Sequence, residues 1–306
     1  MEKPRSHPVL ITIICFVFVC GGFFQLQGKG LGDNWPKRVL ITNDNGIKDT
    51  KIVELARAFA KIAETYVVAP LEDKSGSTHY LTATRRGSLK VERHQIGEGI
   101  KAYAVDGYPA DCILLAIGGI IKDNPPDLVI SGINGGPNLG IDWIFSGTIG
   151  AARMASFGGF PAIAVSGLDD DMPDAVEAAN RWVVSLAQSP LVRELKAQQY
   201  LTVSIPRLHP EEIKGVRVAE RARLTASPVF EKVSSGDAEN GHETWRFVGA
   251  QRLDYSLPSD SDIALYNERY IIVVPMVCNE HDYELLSRLK DNLGKLPAWI
   301  PLKEKE

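Results

Sequence analysis

Arg38-Val-Leu-Ile-Thr-Asn-Asp-Asn-Gly-Ile47 decides how the rest of the chain is organised. Val39 to Ile41 form a β-branched and aliphatic run of strand length, which Asn43-Asp44-Asn45-Gly46 breaks with turn chemistry. Beyond it Ile52, Leu55, Ala56, Phe59, Ala60 and Ala63 recur at helical spacing, with Asp49 or Thr50 placed to cap the start. Tyr66-Val-Val-Ala-Pro70 reads as a second buried strand, so this segment is a βαβ unit with a parallel pair and a right-handed crossover. In open parallel sheets ligands bind just outside the carboxyl ends of the strands, where Asp44 falls. Asp44 is therefore the first candidate metal ligand. The same residues could equally do no more than shape a strand-to-helix turn.

Outward from this unit the pattern continues. Leu71 to Tyr80 is a polar loop at the same sheet edge, in which Ser75, Gly76 and Ser77 could offer hydroxyls and N–H groups to an anion. Residues 88–107 alternate apolar with polar around Gly97-Glu98-Gly99, which predicts an inserted β-hairpin. Pro109 suits the first turn of an apolar helix running through Leu114, Leu115, Ile117 and Ile121. Asp127 to Ile133 is another buried strand, and the loop leaving it, Ser131-Gly-Ile-Asn-Gly-Gly-Pro-Asn-Leu-Gly140, is too rich in glycine and asparagine to fill a core. Asn134 supplies a neutral oxygen of the kind hard divalent cations accept. Ser146-Gly-Thr-Ile-Gly-Ala-Ala152 opens a helix, and backbone N–H groups at such a start form a phosphate-sized anion site. Further strands are predicted at 161–166 and 200–205, and helices at 173–187 and 281–290. The polar stretch 227–243 reads as a mobile loop or an extended hairpin connection.

The 306 residues carry 44% hydrophobic side chains, enough for a large α/β core, and a net charge of −4 with no basic cluster, which excludes long nucleic acid as a partner. Lys3 and Arg5 precede an uncharged, largely apolar run, so residues 1–28 read as a signal peptide or a retained membrane anchor. Export to a periplasmic location, with membrane contact through residues 8–26 if the leader is kept, is the expectation. Cys15 and Cys20 lie in that leader; Cys112 and Cys278 are expected to be buried and unpaired. His79 is expected at the surface, and no histidine pair has zinc-site spacing.

These motifs, in this order, resemble the SurE family of survival-protein phosphatases, which are metal-dependent 5′- and 3′-nucleotidases. Asn43-Asp44-Asn45-Gly46-Ile47 is similar to the family's Asn-Asp-Asp-Gly-Ile opening, and Val68-Ala69-Pro70 with Ser75-Gly76 to its next strand and loop. Gly107 to Cys112, Ser131 to Gly140, Ser146 to Ala152 and Ile271 to Pro275 match later family segments, so the resemblance spans residues 36–285, leaving 286–306 as a helix end and polar tail. It implies a Rossmann-like, doubly wound, mostly parallel sheet with a carboxyl-terminal oligomerisation extension. It also implies a divalent ion, Mg²⁺ or Mn²⁺, held by Asp44, Asn45, Ser75 and Asn134. Phosphate binding falls by resemblance on Gly76, Asn138, Ser146, Gly147 and Thr148, and catalytic roles on Asp44, Asn138 and Asp262. The implied substrate is a nucleoside monophosphate and the implied assembly a homodimer or homotetramer.

The chain departs from the family where it matters chemically. Asn45 stands where the family has a second aspartate, which removes a negative charge from the metal shell. Asp49 or Asp142 could supply a replacement carboxylate. Lys48 replaces a histidine-type turn and Arg153 a methionine; each could put positive charge near the site or be a solvated surface group. Two functions follow: a phosphomonoesterase with a weakened metal site, or an exported phosphate- or nucleotide-binding protein that has lost turnover.

Overall fold

The computed structural model describes residues 34–223, 226–233, 243–252, 257–280 and 282–291. Its first strand, β1 (Arg38–Thr42), is followed by α1 (Thr50–Ala60) and β2 (Glu64–Pro70), and β1 and β2 pair in parallel. Asp49 caps α1, its carboxylate accepting from the Lys51 N–H at 2.7 Å. A short α2 (Ala83–Arg86) leads into β3 (Val91–His94) and β4 (Ile100–Val105), the inserted antiparallel hairpin. That hairpin is not an appendage, because β4 also joins β2 in parallel. α3 (Pro109–Leu115) begins with its proline in the first turn and runs on into a π-helical turn at Ala116–Ile120. β5 (Leu128–Asn134), α4 (Gly147–Phe157), β6 (Ala162–Ser166), α5 (Pro173–Ala187), α6 (Pro190–Arg193) and β7 (Gln199–Ser204) continue the alternation.

The main sheet has nine strands in the order β3-β4-β2-β1-β5-β6-β7-β11-β8, where β8 is Val216–Val218 and β11 is Ile271–Val277. Strands β4, β2, β1, β5, β6 and β7 are mutually parallel, and their order reverses direction between β1 and β5. This is the doubly wound topology predicted, and its switch point lies at the carboxyl ends of β1 and β5. Past β7 the sheet departs from that plan: β11 is antiparallel to β7 and carries β8 alongside it.

Strand alternation sorts the core onto two faces. Val39, Ile41, Val67 and Ile130 pack with Leu55 and Phe59 of α1 and Val176 and Val183 of α5. Leu40, Val68 and Val129 face the other way, against Ile113 of α3 and Ile149, Ala152 and Ala155 of α4. Burying each of the larger of these side chains contributes about 1.5–3 kcal/mol, which is why a sheet covered on both faces has near-continuous apolar strands.

Of the stretch 227–243, read as a mobile loop or an extended hairpin connection, residues 234–242 lie outside the described residues and the strands on either side pair as a hairpin. β9 (Ala226–Val233) and β10 (Thr244–Arg252) form a separate antiparallel pair that leaves Phe230, Trp245 and Phe247 exposed. α7 (Asp262–Asn267) and α8 (Tyr283–Asp291) complete the described elements. Cys112 and Cys278 are free and buried, as expected, and burial pushes both thiols up. Residues 1–28, read as a signal peptide or as a membrane anchor in contact with the membrane through 8–26, lie outside the described residues, as does the tail beyond Asp291. Among the described residues no helix is long and apolar enough to cross a membrane.

Candidate functional site

The turn after β1 is closed by Asn43, which is buried and uses both ends of its amide: Nδ2 donates to Gly46 O and Oδ1 accepts from Gly46 N. This leaves Asp44 aimed across the switch point at the start of α4. Asp44 is 2% exposed, and its two carboxylate oxygens accept from Thr148 Oγ1 at 2.6 Å and Thr148 N at 3.0 Å. Burial raises its pKa despite those hydrogen bonds, with a smaller contribution from Asp73 nearby. The close approach depends on glycine. A Cβ at Gly147 would lie 2.7 Å from Ser77 Oγ and 3.0 Å from Asp44, and one at Gly150 would collide with Thr78 O.

A cavity of about 270 Å³ opens at this point. Asp44, Ser75, Asn134, Asn138 and Ser146 line it, together with Gly76 and the exposed ring of Phe145. Asn134 ends β5 and donates through Nδ2 to Gly135 O and Gly136 O, which leaves Oδ1 as its ligand-capable atom. Asn138 Nδ2 donates to Ser166 Oγ at 2.7 Å. The Ser75 hydroxyl donates to Asp73 Oδ1 at 2.6 Å, keeping its lone pairs for an electropositive partner. Asp142 joins the same lining, and burial raises its pKa.

Several expectations are corrected. Thr148 is fully buried, and the hydroxyl and N–H expected to meet phosphate both donate to Asp44. Gly147 lies behind the lining, its space taken by Asp44 and Ser77. Ser146 lines the cavity, although its Oγ accepts from Ile149 N as the helix N-cap. Asp262 does not reach the cavity. It is fully buried, and its carboxylate accepts from Gly140 N, Ala222 N and Ile263 N at 2.8–2.9 Å, a fastener on the back of the glycine-rich loop. Asp49 is likewise spent elsewhere, on its cap and on the buried Lys51 ammonium at 3.1 Å. Arg153 is not a solvated group, since only 12% of its side chain is exposed and it pairs with Glu280. His79 is half-buried rather than superficial, and burial and Arg153 lower its pKa. Lys48 is exposed.

Two contributors are not among the expected residues. Arg221 donates to Asn138 O and Gly140 O, both at 3.3 Å, and sits 3.7 Å from Asp262. It lies far along the chain in an unremarkable strand exit, so nothing local marks it. Asp73 sits in the loop read only for its serines, and its position two residues before Ser75 is the turn-forming spacing that could have found it.

The oxygen-only donor set fits a hard divalent cation. Asn45 supplies the specific observation: its Oδ1 is buried without a hydrogen-bond donor among the described residues, beside a carboxylate whose pKa burial has raised.

Fold and pocket together define an α/β protein with an oxygen-lined cavity at the switch point of a doubly wound sheet. Residues 39–227 match the family described as survival protein SurE. A Burkholderia lata protein named 5′-nucleotidase SurE 1 is 35% identical over 265 residues, covering 84% of this chain and 96% of its own length. A Desulforamulus reducens protein named 5′-nucleotidase SurE is 35% identical over 272 residues, covering 87% and 100%. The crystal structure of the SurE protein from Aquifex aeolicus, 29% identical, superposes with a TM-score of 0.70 and covers 84% of this chain and 99% of that one. The chain belongs to the SurE family.

Proposed function

We propose that this chain is a metal-dependent phosphomonoesterase acting on nucleoside monophosphates. The carrying observation is the convergence of Asp44, Ser75, Asn134, Asn138 and Ser146 on one cavity at the switch point. The relatives named 5′-nucleotidase support the same reading. Asp44, Asn45, Ser75 and Asn134 would hold Mg²⁺ or Mn²⁺, which would supply Lewis-acid stabilisation of charge on the phosphoryl group.

The protein's own contribution is positioning. Thr148 holds Asp44 in one rotamer, while Arg221 and Asp262 fix the backbone on which Asn138 is carried. With its Nδ2 shared with Ser166, Asn138 keeps a second N–H for a phosphate oxygen, and Gly76 and Ser146 flank that position. Prepositioned donors of this kind stabilise developing charge without reorganising during the reaction. Asp73, hydrogen-bonded to Ser75, restores near the cation some of the negative charge absent at Asn45.

The deciding assay is hydrolysis of nucleoside 5′- and 3′-monophosphates by the full-length chain with and without Mg²⁺ or Mn²⁺. Metal-dependent turnover that Asp44→Ala abolishes supports the enzyme. Tight phosphate binding with no turnover under any metal supports the second reading, an exported binding protein, which Asn45 favours. We further propose that the β9–β10 hairpin, with its exposed Phe230, Trp245 and Phe247, docks against a second copy in a homodimer or homotetramer.

A further inference from the structure

A second cavity of about 770 Å³ opens beside the phosphate pocket, and Ser75 and Gly76 line both. Its walls are unlike those of its neighbour. Tyr80 and Tyr108 meet across it edge to face, with ring centroids 4.6 Å apart and planes at 63°. They come from different parts of the chain: Tyr80 follows the Ser75-Gly76 loop, and Tyr108 caps α3, where its backbone N–H donates to Asp111.

Cations frame the pair. Lys74 Nζ, also in the lining, lies 5.5 Å from the Tyr108 ring centre. The Arg85 guanidinium sits 5.4 Å from the Tyr80 ring and donates to its hydroxyl at 3.2 Å. Here Tyr80 remains 40% exposed and Tyr108 half-buried, with both rings turned to an open cavity that already holds two residues of the phosphate pocket. The volume lies within the usual range for small-molecule sites.

We propose that Tyr80 and Tyr108 form the nucleobase platform of this protein. The phosphate occupies the pocket at Asn138, the sugar crosses the Ser75-Gly76 rim, and the base stacks on the tyrosines, with Lys74 at the edge of the stack. This rests on the nucleotide reading above and adds the part of the substrate that reading leaves unplaced. Stacking tolerates every base because each has a π-face, so the platform selects nucleotides over simple sugar phosphates and discriminates weakly among bases.

The test uses the full-length chain with Mg²⁺ and two non-hydrolysable probes, the isosteric phosphonates of adenosine monophosphate and of ribose 5-phosphate. Calorimetry gives a Kd for each. The wild type is expected to bind the adenosine probe about tenfold more tightly. Tyr80→Leu and Tyr108→Leu should collapse that ratio toward one, and Tyr80→Phe and Tyr108→Phe, which keep the ring, should restore it. Equal affinity for the two probes in the wild type, no binding of the adenosine probe, or a ratio that survives both leucine variants overturns the platform. Turnover of adenosine monophosphate is measured separately. An intact ratio without turnover removes the phosphatase reading and leaves the platform in place.

Discussion

At the scale of single residues, Asn45 and Thr148 flank Asp44, the carboxylate proposed to hold the cation, one next to it in the chain and the other hydrogen-bonded to it. Asn45 brings an oxygen that finds no donor among the described residues, and its amide is neutral where the family carries a carboxylate. Asn45→Asp is expected to raise kcat/KM for nucleoside monophosphates about tenfold, the scale of replacing a neutral contact with a charge-assisted one. It should also lower the Mn²⁺ concentration for half-maximal rate. A titration of rate against Mn²⁺ in both proteins checks this, and an unchanged curve would mean that Asp73 already supplies the missing charge. Thr148 is the other pressure point. Thr148→Val removes the 2.6 Å hydrogen bond to a buried carboxylate, for which we expect a loss of about 1–3 kcal/mol of stability by denaturant unfolding. Thr148→Ser, which keeps the hydroxyl, should recover most of it.

Among elements, the packing of α4 against the Ser75 loop leaves no room for a side chain at Gly150. Gly150 lies so close to Thr78 O that Gly150→Ala must push the two apart. Overpacking of this kind costs about 1–3 kcal/mol, and activity should fall further than stability because Ser75 and Gly76 move with the loop. Thermal melts and a steady-state rate on the same samples separate the two effects. Much of this element structure was legible in the chain. The helix opening at Ser146, the first-turn proline at Pro109 and the cap of α1, which falls on Asp49 rather than Thr50, are local signals decided within a few residues. The asparagines at 134 and 138 were legible as residues at the carboxyl edge of the sheet, where they line the cavity, because they leave a buried strand in a glycine-rich loop. The roles of Thr148 and Asp262 were not. A helix start offers the same N–H groups to a phosphate or to a side chain from another strand, and only the folded distance to Asp44 decides between them. Asp262 similarly acts on Gly140, 122 residues away. Asp262→Ala is expected to cost about 3–5 kcal/mol, since it leaves the buried Gly140 and Ala222 amides without their acceptor and removes the carboxylate 3.7 Å from Arg221.

On the scale of the whole molecule, the two edges of the parallel sheet have divided labour. The carboxyl edge holds the pocket, while at the amino edge Glu64 accepts from Arg38, Lys101 and Tyr66 across β1, β2 and β4. The Lys101 ammonium, together with Arg38, lowers the Glu64 carboxyl from the ordinary 4.5 to about 2. A carboxyl depressed on folding stabilises above its ordinary value and loses that contribution as pH falls toward the folded one. Glu64→Gln should therefore lower Tm at neutral pH, with the gap to wild type closing between pH 4.5 and about 2. Melts across that range test the sign. Assembly is checked by light scattering: replacing Phe230 and Phe247 together with serine should yield a smaller particle. The Asp262 fastener also bears on how the protein is made. Every residue that lines the candidate pocket has been synthesised once Ser146 is added to the chain, and β1 to β7 are complete by Ser204. The groups that hold the glycine-rich loop from behind, Arg221 and Asp262, arrive only later. A chain ending before them would carry every residue that lines the pocket but lack the hydrogen bonds that hold Gly140 from behind.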